Sequence, residues 1–171
     1  MIEMKVMGIA LDTRTGSPIV VLHDKDNRKA LPIWIGSAEA SAIIRKIETL
    51  SVARPMTHDL IINLIEQTGY TLDRIEINDV EKETYYATLY LKDDKDNFIE
   101  IDSRPSDAIA IAIRVDAPIF ISPKVLANGS VSTDSAKDEE EAQEFKNFVQ
   151  SIKPSDFAKL MKDKDQHESD Q

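Results

Sequence analysis

The sequence of 171 residues predicts an α+β protein. A pattern of three short strands followed by a helix occurs twice along the chain. In both occurrences short polar turns join the strands, which favours antiparallel pairing. The helices follow groups of strands and do not alternate with single strands, as they would in an α/β protein. We therefore expect a mostly antiparallel sheet from two β-β-β-α halves, with helices packed on it and a helical C-terminal extension.

The first half contains three strands and one helix. We place its strands at residues 2–11, 19–23 and 29–35. Gly36 ends the third strand, and Ser37 suits an N-cap because its hydroxyl can accept a hydrogen bond from a free helix amide. The helix is expected over residues 38–50, and its apolar residues recur at helical spacing.

A second helix is expected between the two halves. Thr57 is its predicted cap, and apolar residues follow at helical spacing as far as Gly69. Glycine is common just beyond the end of a helix because it adopts the left-handed conformation easily. We place this helix over residues 59–68.

The second half repeats the order of the first. We place its strands at residues 71–80, 84–91 and 98–103. Pro105 suits the first position of the next helix, where its missing N–H is no loss, and that helix is expected to reach about residue 115. A short final strand is expected at residues 118–121.

The chain changes character after the final strand. We predict one domain over residues 1–130, a helical extension over residues 131–161 and a disordered tail over residues 162–171. The extension contains an amphipathic stretch at residues 138–152 and a shorter helical stretch at residues 156–161. The tail contains no apolar residue, so it has nothing to bury in a core.

The composition excludes several classes of function. The net charge is -10, about half of it after residue 130, and no block of Lys and Arg suggests tight, non-specific nucleic-acid binding. A locally positive groove is still compatible with this charge. The absence of cysteine excludes disulfides and thiolate metal sites. No apolar run approaches the roughly 20 residues of a membrane span, and we expect a cytoplasmic protein without a membrane partner.

Two polar corners stand at predicted helix starts. The first corner is Arg-Pro-Met-Thr-His-Asp at residues 54–59, and the second corner is Asp-Ser-Arg-Pro-Ser-Asp at residues 102–107. Helix amides, two guanidinium groups and several carboxylates suit a phosphodiester with a metal ion. They suit a dimer contact or an internal network of salt bridges equally well.

Trp34 is the one tryptophan of the chain. Its neighbours Ile33 and Ile35 should face the core, so Trp34 should face the other side of the sheet. Tryptophan in such a place is typical of an interface anchor. The alternative is that the C-terminal helix covers it.

Four stretches carry a resemblance to a known family. They are LPIWIG at residues 31–36 followed by Glu39, RPMTHDL at 54–60, DSRPSDAIAIA at 102–112 and APIF at 117–120. Over about residues 1–130 the chain resembles the bifunctional nuclease domain family, formerly a domain of unknown function. The resemblance implies an α+β domain, a homodimer and hydrolysis of both DNA and RNA, an activity of some plant members.

The positions of this resemblance supply candidate residues for a metal-assisted nuclease. The candidate catalytic residues are His58, Asp102 and Asp107. Phosphate contacts are assigned to Arg54, Arg104, Thr57 and Ser106. The candidate ligands of Mg²⁺ or Mn²⁺ are Asp102, Asp107, Asp59 and Glu39, although no metal-binding spacing is evident. The alternative hypothesis is a non-catalytic dimeric binding or regulatory module whose corners are structural.

Overall fold

A computed structural model of the chain describes residues 1–132 and Asn147. The predicted helices at residues 138–152 and 156–161 and the predicted disordered tail therefore lie outside the described residues. No described helix is long and apolar enough to cross a membrane.

Eight strands form a single sheet within the described part of the chain. Their bounds are β1 Ile2–Leu11, β2 Pro18–Asp24, β3 Lys29–Trp34, β4 Thr71–Glu81, β5 Thr84–Lys92, β6 Phe98–Ser103, β7 Ile119–Ile121 and β8 Val131–Ser132. Four helices accompany them in the same part. Their bounds are α1 Ser37–Ile47, α2 Thr57–Gln67, α3 Pro105–Ala112 and α4 Pro123–Gly129.

The short strand β7 joins the two halves of the sheet. The strand order is β6-β5-β4-β7-β1-β2-β3-β8. β7 pairs with β1 in antiparallel fashion and with β4 in parallel fashion, while every other neighbouring pair is antiparallel. The α+β class and the two β-β-β-α halves are thus confirmed.

Aspartates organise the polar turns that separate the strands. Asp24 accepts hydrogen bonds from the backbone amides of Arg28 and Lys29 at 2.8 and 3.1 Å. Asn27, in the turn between Asp24 and Arg28, has a positive φ of 53°. Burial alone would raise the pKa of Asp24, but these amides hold it below its usual value. An aspartate that satisfies the turn amides in this way fixes the register of β2 against β3.

The hydrophobic core lies between the sheet and helices α1, α2 and α3. α3 is the central helix, because every residue from Ala108 to Ala112 is at most 3% exposed. It contacts β4 and β5 on one side and helices α1 and α2 on others. This packing brings the N-terminal turns of the three helices into one region.

Helix ends differ from their predicted positions by a few residues. The N-cap of α1 is Gly36, with Ser37 already helical, and the N-cap of α2 is Met56, with Thr57 already helical. α1 ends at Ile47, before Thr49 turns the chain with a positive φ of 52°. The predictions of Ser37 and Thr57 as caps are therefore each wrong by one residue.

Helix α4 and strand β8 were not predicted. Ser122 caps α4 by accepting a hydrogen bond from the amide of Val125 at 3.2 Å. β8 then pairs with the start of β3, where Val131 stands opposite Ala30. The first two residues of the region assigned to the extension therefore belong to the sheet.

Candidate functional site

Helices α1, α2 and α3 each carry an acidic residue at the third helical position. These residues are Glu39, Asp59 and Asp107, three residues after the N-caps Gly36, Met56 and Arg104. A negative charge in the first turn is stabilised by the free amides and the helix dipole. Glu39 and Asp107 share Arg104 as a partner, whereas Asp59 has a different one, and these partners decide what each helix start can do.

Arg104 joins the start of α1 to the start of α3. Its NH2 nitrogen donates to Glu39 Oε1 at 2.8 Å, and its Nε donates to Asp107 Oδ2 at 2.7 Å. The Arg104 side chain is 66% exposed, so it can still meet a molecule arriving from solvent. The hydrogen bond to Asp107 raises the pKa of Arg104 most, and the hydrogen bond to Glu39 raises it further.

His58 approaches the same acid from α2. Its side chain is 9% exposed, and its Nε2 lies 3.0 Å from Asp107 Oδ1. An ionised carboxylate can only accept a hydrogen bond, so the proton of a neutral His58 lies on Nε2. The lone pair of Nδ1 is then available, and this nitrogen makes no hydrogen bond with the described residues. We call Glu39, His58, Arg104 and Asp107 the charged cluster.

Gly36 allows Glu39 to fold back over the start of α1. A Cβ at position 36 would collide with the Glu39 carboxylate. A side chain at position 36 would therefore push this carboxylate away from Arg104. The glycine of the sequence LPIWIG thus has a direct steric role in the charged cluster.

The charged cluster does not provide the predicted set of metal ligands. Within residues 1–132 and at Asn147, no group of three or more His, Cys, Asp or Glu side chains is placed to hold a metal ion. Glu39 and Asp107 are both engaged by Arg104, and Asp59 and Asp102 have other surroundings. The described side chains as folded therefore offer Mg²⁺ or Mn²⁺ no site with three protein ligands, and such an ion would depend on water and substrate phosphate for its remaining oxygen ligands.

Asp59 is engaged in hydrogen bonds that connect helices, not in a metal site. Its Oδ2 accepts from the backbone amide of Met56 and its Oδ1 from Arg114 Nε, both at 2.9 Å. Arg114 is only 9% exposed and also donates to the carbonyls of Ala110 and Ala42, at 2.6 and 2.9 Å. The hydrogen bond from the Met56 amide lowers the pKa of Asp59 most, and the contact with Arg114 lowers it further. Together they outweigh burial, which would raise it.

Arg114 is the residue of this region that sequence reasoning missed. It ties α3 to α1 and to the first turn of α2, and so sets where His58 stands relative to Asp107. The available signal was a single charge at the end of the apolar run from Ala108 to Ile113. A charge in such a place requires a buried partner.

The remaining candidates lie at or near the corners without joining the charged cluster. Asp102 is exposed on β6 opposite Thr88, and Arg54 is exposed in the connection before α2. Neither side chain makes an ion pair with the described residues. Thr57 is an exposed first residue of α2, while Ser106 is the second residue of α3 and only 7% exposed.

Trp34 faces away from the core, as the alternation of β3 predicts. It is 56% exposed, whereas Ile33 is 3% exposed. Its Nε1 donates to Asp12 Oδ2 at 3.1 Å, and this bond lowers the pKa of Asp12. The indole is thus held in one orientation at the surface of the sheet.

The sequence matches known proteins over most of its length. The family model described as the bifunctional nuclease domain matches residues 20–134. An uncharacterized protein of Mycobacterium tuberculosis strain H37Rv is 37% identical over 163 residues, which cover 91% of this chain and 97% of that protein.

Plant proteins named as nucleases match over the domain. Bifunctional nuclease 2 of Arabidopsis thaliana is 30% identical over 125 residues, 71% of this chain and 38% of that protein. Bifunctional nuclease 2 of Oryza sativa subsp. japonica is 33% identical over 107 residues, 61% of this chain and 33% of that protein. The family model and these relatives agree with one another, and the chain belongs to the bifunctional nuclease domain family.

Proposed function

We propose that this protein is a nuclease that hydrolyses phosphodiester bonds in DNA and RNA at the charged cluster. Membership of the family and the names of the plant relatives support a nuclease. The structural observation that carries the proposal is the contact of Asp107 with both His58 and the exposed Arg104. Asp107 orients the imidazole of His58 and lies beside the guanidinium of Arg104, a cation that can bind phosphate oxygens.

His58 is the general base of the proposed reaction. Its Nδ1 takes a proton from water, and Asp107 stabilises the resulting imidazolium through Nε2. The water oxygen bonds to phosphorus while the bond to the leaving sugar oxygen breaks, and that oxygen receives a proton from solvent, to which the His58 imidazolium then returns its own. DNA has no 2′-hydroxyl, so internal attack by that group cannot cleave both nucleic acids, and water is the nucleophile in this proposal.

Arg104 contacts the phosphate in this proposal. Its Nε and NH2 serve Asp107 and Glu39, while NH1 makes no hydrogen bond with the described residues. A guanidinium has five N–H donors, so the pairs within the protein leave some of them free for phosphate oxygens. Arg54, Thr57 and Ser106 stay predicted phosphate contacts, and Asp102 stays a predicted catalytic residue.

The involvement of Mg²⁺ or Mn²⁺ also stays a prediction. The described carboxylates do not form a three-ligand group, so we assign no step of the reaction to a metal.

The test is a cleavage assay with the full-length chain on end-labelled single-stranded RNA and DNA. Each substrate is incubated with Mg²⁺, with Mn²⁺ and with EDTA. His58→Gln and Asp107→Asn are compared with Lys95→Gln, a control in the β5–β6 turn, and all are checked for folding by circular dichroism. Cleavage is expected from the wild type and the control and not from the other two. Equal cleavage by the folded His58→Gln and Asp107→Asn variants would exclude the charged cluster as the active site.

The second candidate function is a non-catalytic dimeric binding or regulatory module. The observation that favours it is that all three N-terminal acids already have partners within the protein. The exposed Trp34 would then anchor the dimer or another partner. This function predicts no cleavage under any metal condition, and a dimer in light scattering that Trp34→Ala dissociates.

A further inference from the structure

A groove lies beside the charged cluster, on the other side of the first turn of α2. It has a volume of about 360 Å³. Its walls come from the end of α1, the α1–α2 connection, one side of α2 and the segment after α3. We call it the α1–α2 groove, and it is lined by Arg45, Lys46, Leu50, Val52, Met56, Asp59, Ile62, Asn63, Glu66, Arg114 and Val115.

Two cations of the groove lack an ion-pair partner in the described part of the chain. Arg45 and Lys46 make no ion pair with the described residues, and Arg45 Nε is shielded from solvent without a hydrogen-bond partner. Among the described residues five of the seven arginines of the chain form ion pairs, and the two that form none there, Arg45 and Arg54, both lie between the start of α1 and the start of α2. A shielded guanidinium nitrogen without an acceptor is costly, and an anion near it would offset that cost.

The other charges of the groove leave it positive. Arg114 and Asp59 neutralise each other at 2.9 Å. Glu66 opposes one of the two remaining cations. A positive groove in a protein of net charge -10 attracts an anion locally, because charges beyond about 8–10 Å are largely screened at physiological salt.

The walls between these charges are apolar and open. Leu50, Val52 and Met56 are 52, 40 and 44% exposed. Unpaired bases and sugars can lie against such aliphatic surfaces, whereas a duplex keeps its bases stacked inside. A positive groove with exposed apolar walls therefore suits a single-stranded nucleic acid better than a duplex.

The groove and the charged cluster are joined through adjacent residues. Asp59 lines the groove, while the preceding His58 points to Asp107. Consecutive helical residues point about 100° apart. A strand lying across the first turn of α2 can therefore reach both places.

We propose that the α1–α2 groove binds the phosphodiester backbone of a single-stranded nucleic acid, with Arg45 and Lys46 as its phosphate contacts. This inference rests on the proposed nuclease function and gives it a substrate-binding surface outside the charged cluster. Arg45 and Lys46 are binding residues and take no part in bond cleavage.

The test measures binding separately from cleavage. The full-length chain carries His58→Gln so that labelled strands stay intact, and fluorescence anisotropy gives Kd for a 12-nucleotide RNA and DNA at several salt concentrations. Arg45→Gln/Lys46→Gln is compared with Lys29→Gln/Lys95→Gln, which removes the same charge elsewhere. We expect the first pair to raise Kd at least about tenfold and to reduce the salt slope by roughly 0.7 for each lost contact. The control pair should leave both unchanged.

A second variant covers the case in which the first pair fails to fold. Val52→Glu places an acid on an exposed wall of the groove and should also raise Kd. Equal Kd values and salt slopes for the groove variants and the control pair would overturn the inference. Competition by AMP or inorganic phosphate at the affinity of the strand would overturn it too, because the site would then serve a free phosphate ligand.

The two proposals fail in different ways. If the wild type cleaves nucleic acid but the groove variants bind it with unchanged Kd, only the proposal for the groove is overturned. Binding that depends on Arg45 and Lys46, in a protein that cleaves nothing, would support the groove and overturn the nuclease. In an active protein the Arg45→Gln/Lys46→Gln pair should raise KM and leave kcat near the wild-type value.

Discussion

The first and second corners share a sequence pattern and differ in what the acid contacts. Both have Arg-Pro followed by an acid at the third helical position. Asp59 of the first corner is held by the Met56 amide and the buried Arg114. Asp107 of the second corner is held by the exposed Arg104 and by His58. The acid of the first corner therefore fixes helices in place, while the acid of the second corner joins His58 to an arginine that is exposed to solvent.

The difference teaches that the partner of an acid, and not its spacing from an arginine, decides its role. In the second corner the local Arg104 reaches Asp107 three residues later. In the first corner the local Arg54 makes no ion pair within the described residues, and Arg114 takes its place from 55 residues along the chain. The following predictions test this division, beginning with the largest expected effect.

His58→Gln should have the largest effect, on cleavage. The glutamine amide keeps a hydrogen-bond donor near Asp107 but cannot take a proton, so kcat should fall by about 10²–10⁴-fold. The measurement is initial cleavage rates on labelled RNA and DNA, with the melting temperature as a control for folding. A folded His58→Gln variant with wild-type kcat would place the general base elsewhere.

Arg114→Met should have the largest effect on stability. It leaves the carboxylate of Asp59 and the carbonyls of Ala42 and Ala110 without their common donor. Removing one partner of a buried pair costs about 3 kcal/mol. Chemical denaturation of the full-length chain gives the free energy of unfolding, and a loss below about 1 kcal/mol would contradict the structural role of the first corner.

The sequence predicts the strands better than the helix ends. The predicted bounds of β1 and β6 coincide with the observed ones, because polar turns interrupt apolar alternation at those positions. The end of α1 was missed by three residues because Thr49, not a glycine, takes the positive φ. α4 was missed because its seven residues, which begin with a proline and end with a glycine, are too few for a clear helical period.

The long-range contacts of the site were beyond sequence reasoning. Glu39 and Arg104 are 65 residues apart, and their meeting depends on how α1 and α3 pack. The motifs identified both residues, but not that one neutralises the other. The motifs also supplied Glu39 and Asp107 as candidate metal ligands, but not that Arg104 engages both of them.

Asp59→Asn should cause a moderate, pH-dependent loss of stability. The pKa of Asp59 is lowered in the folded state, so its carboxylate contributes full stability above its unfolded pKa of about 3.9. This contribution is lost as the pH falls through the lower folded pKa. At pH 7 we expect a loss of about 1 kcal/mol, the upper end of the usual stabilisation by an acid in the first turn of a helix.

The measurement is the difference in unfolding free energy between wild type and Asp59→Asn from pH 7 to pH 2. The difference should begin to shrink below about pH 4, where Asp59 of the unfolded state becomes protonated, and should disappear below the lower pKa of the folded state. Asp107→Asn serves as the matched variant at the same helical position of α3. A constant difference across this range would mean that the charge of Asp59 does not stabilise the first corner.

Arg104→Gln should have the smallest effect on stability. Its ion pairs lie at the surface, with the Arg104 side chain 66% exposed, and exposed pairs contribute up to about 1 kcal/mol. The difference from wild type should vanish in 1 M NaCl, where the Debye length is about 3 Å. Cleavage should nevertheless weaken, because the proposed phosphate contact is lost. If Arg104→Gln destabilised the protein as much as Arg114→Met, the second corner would be structural like the first, and the non-catalytic module would become the better account of this protein.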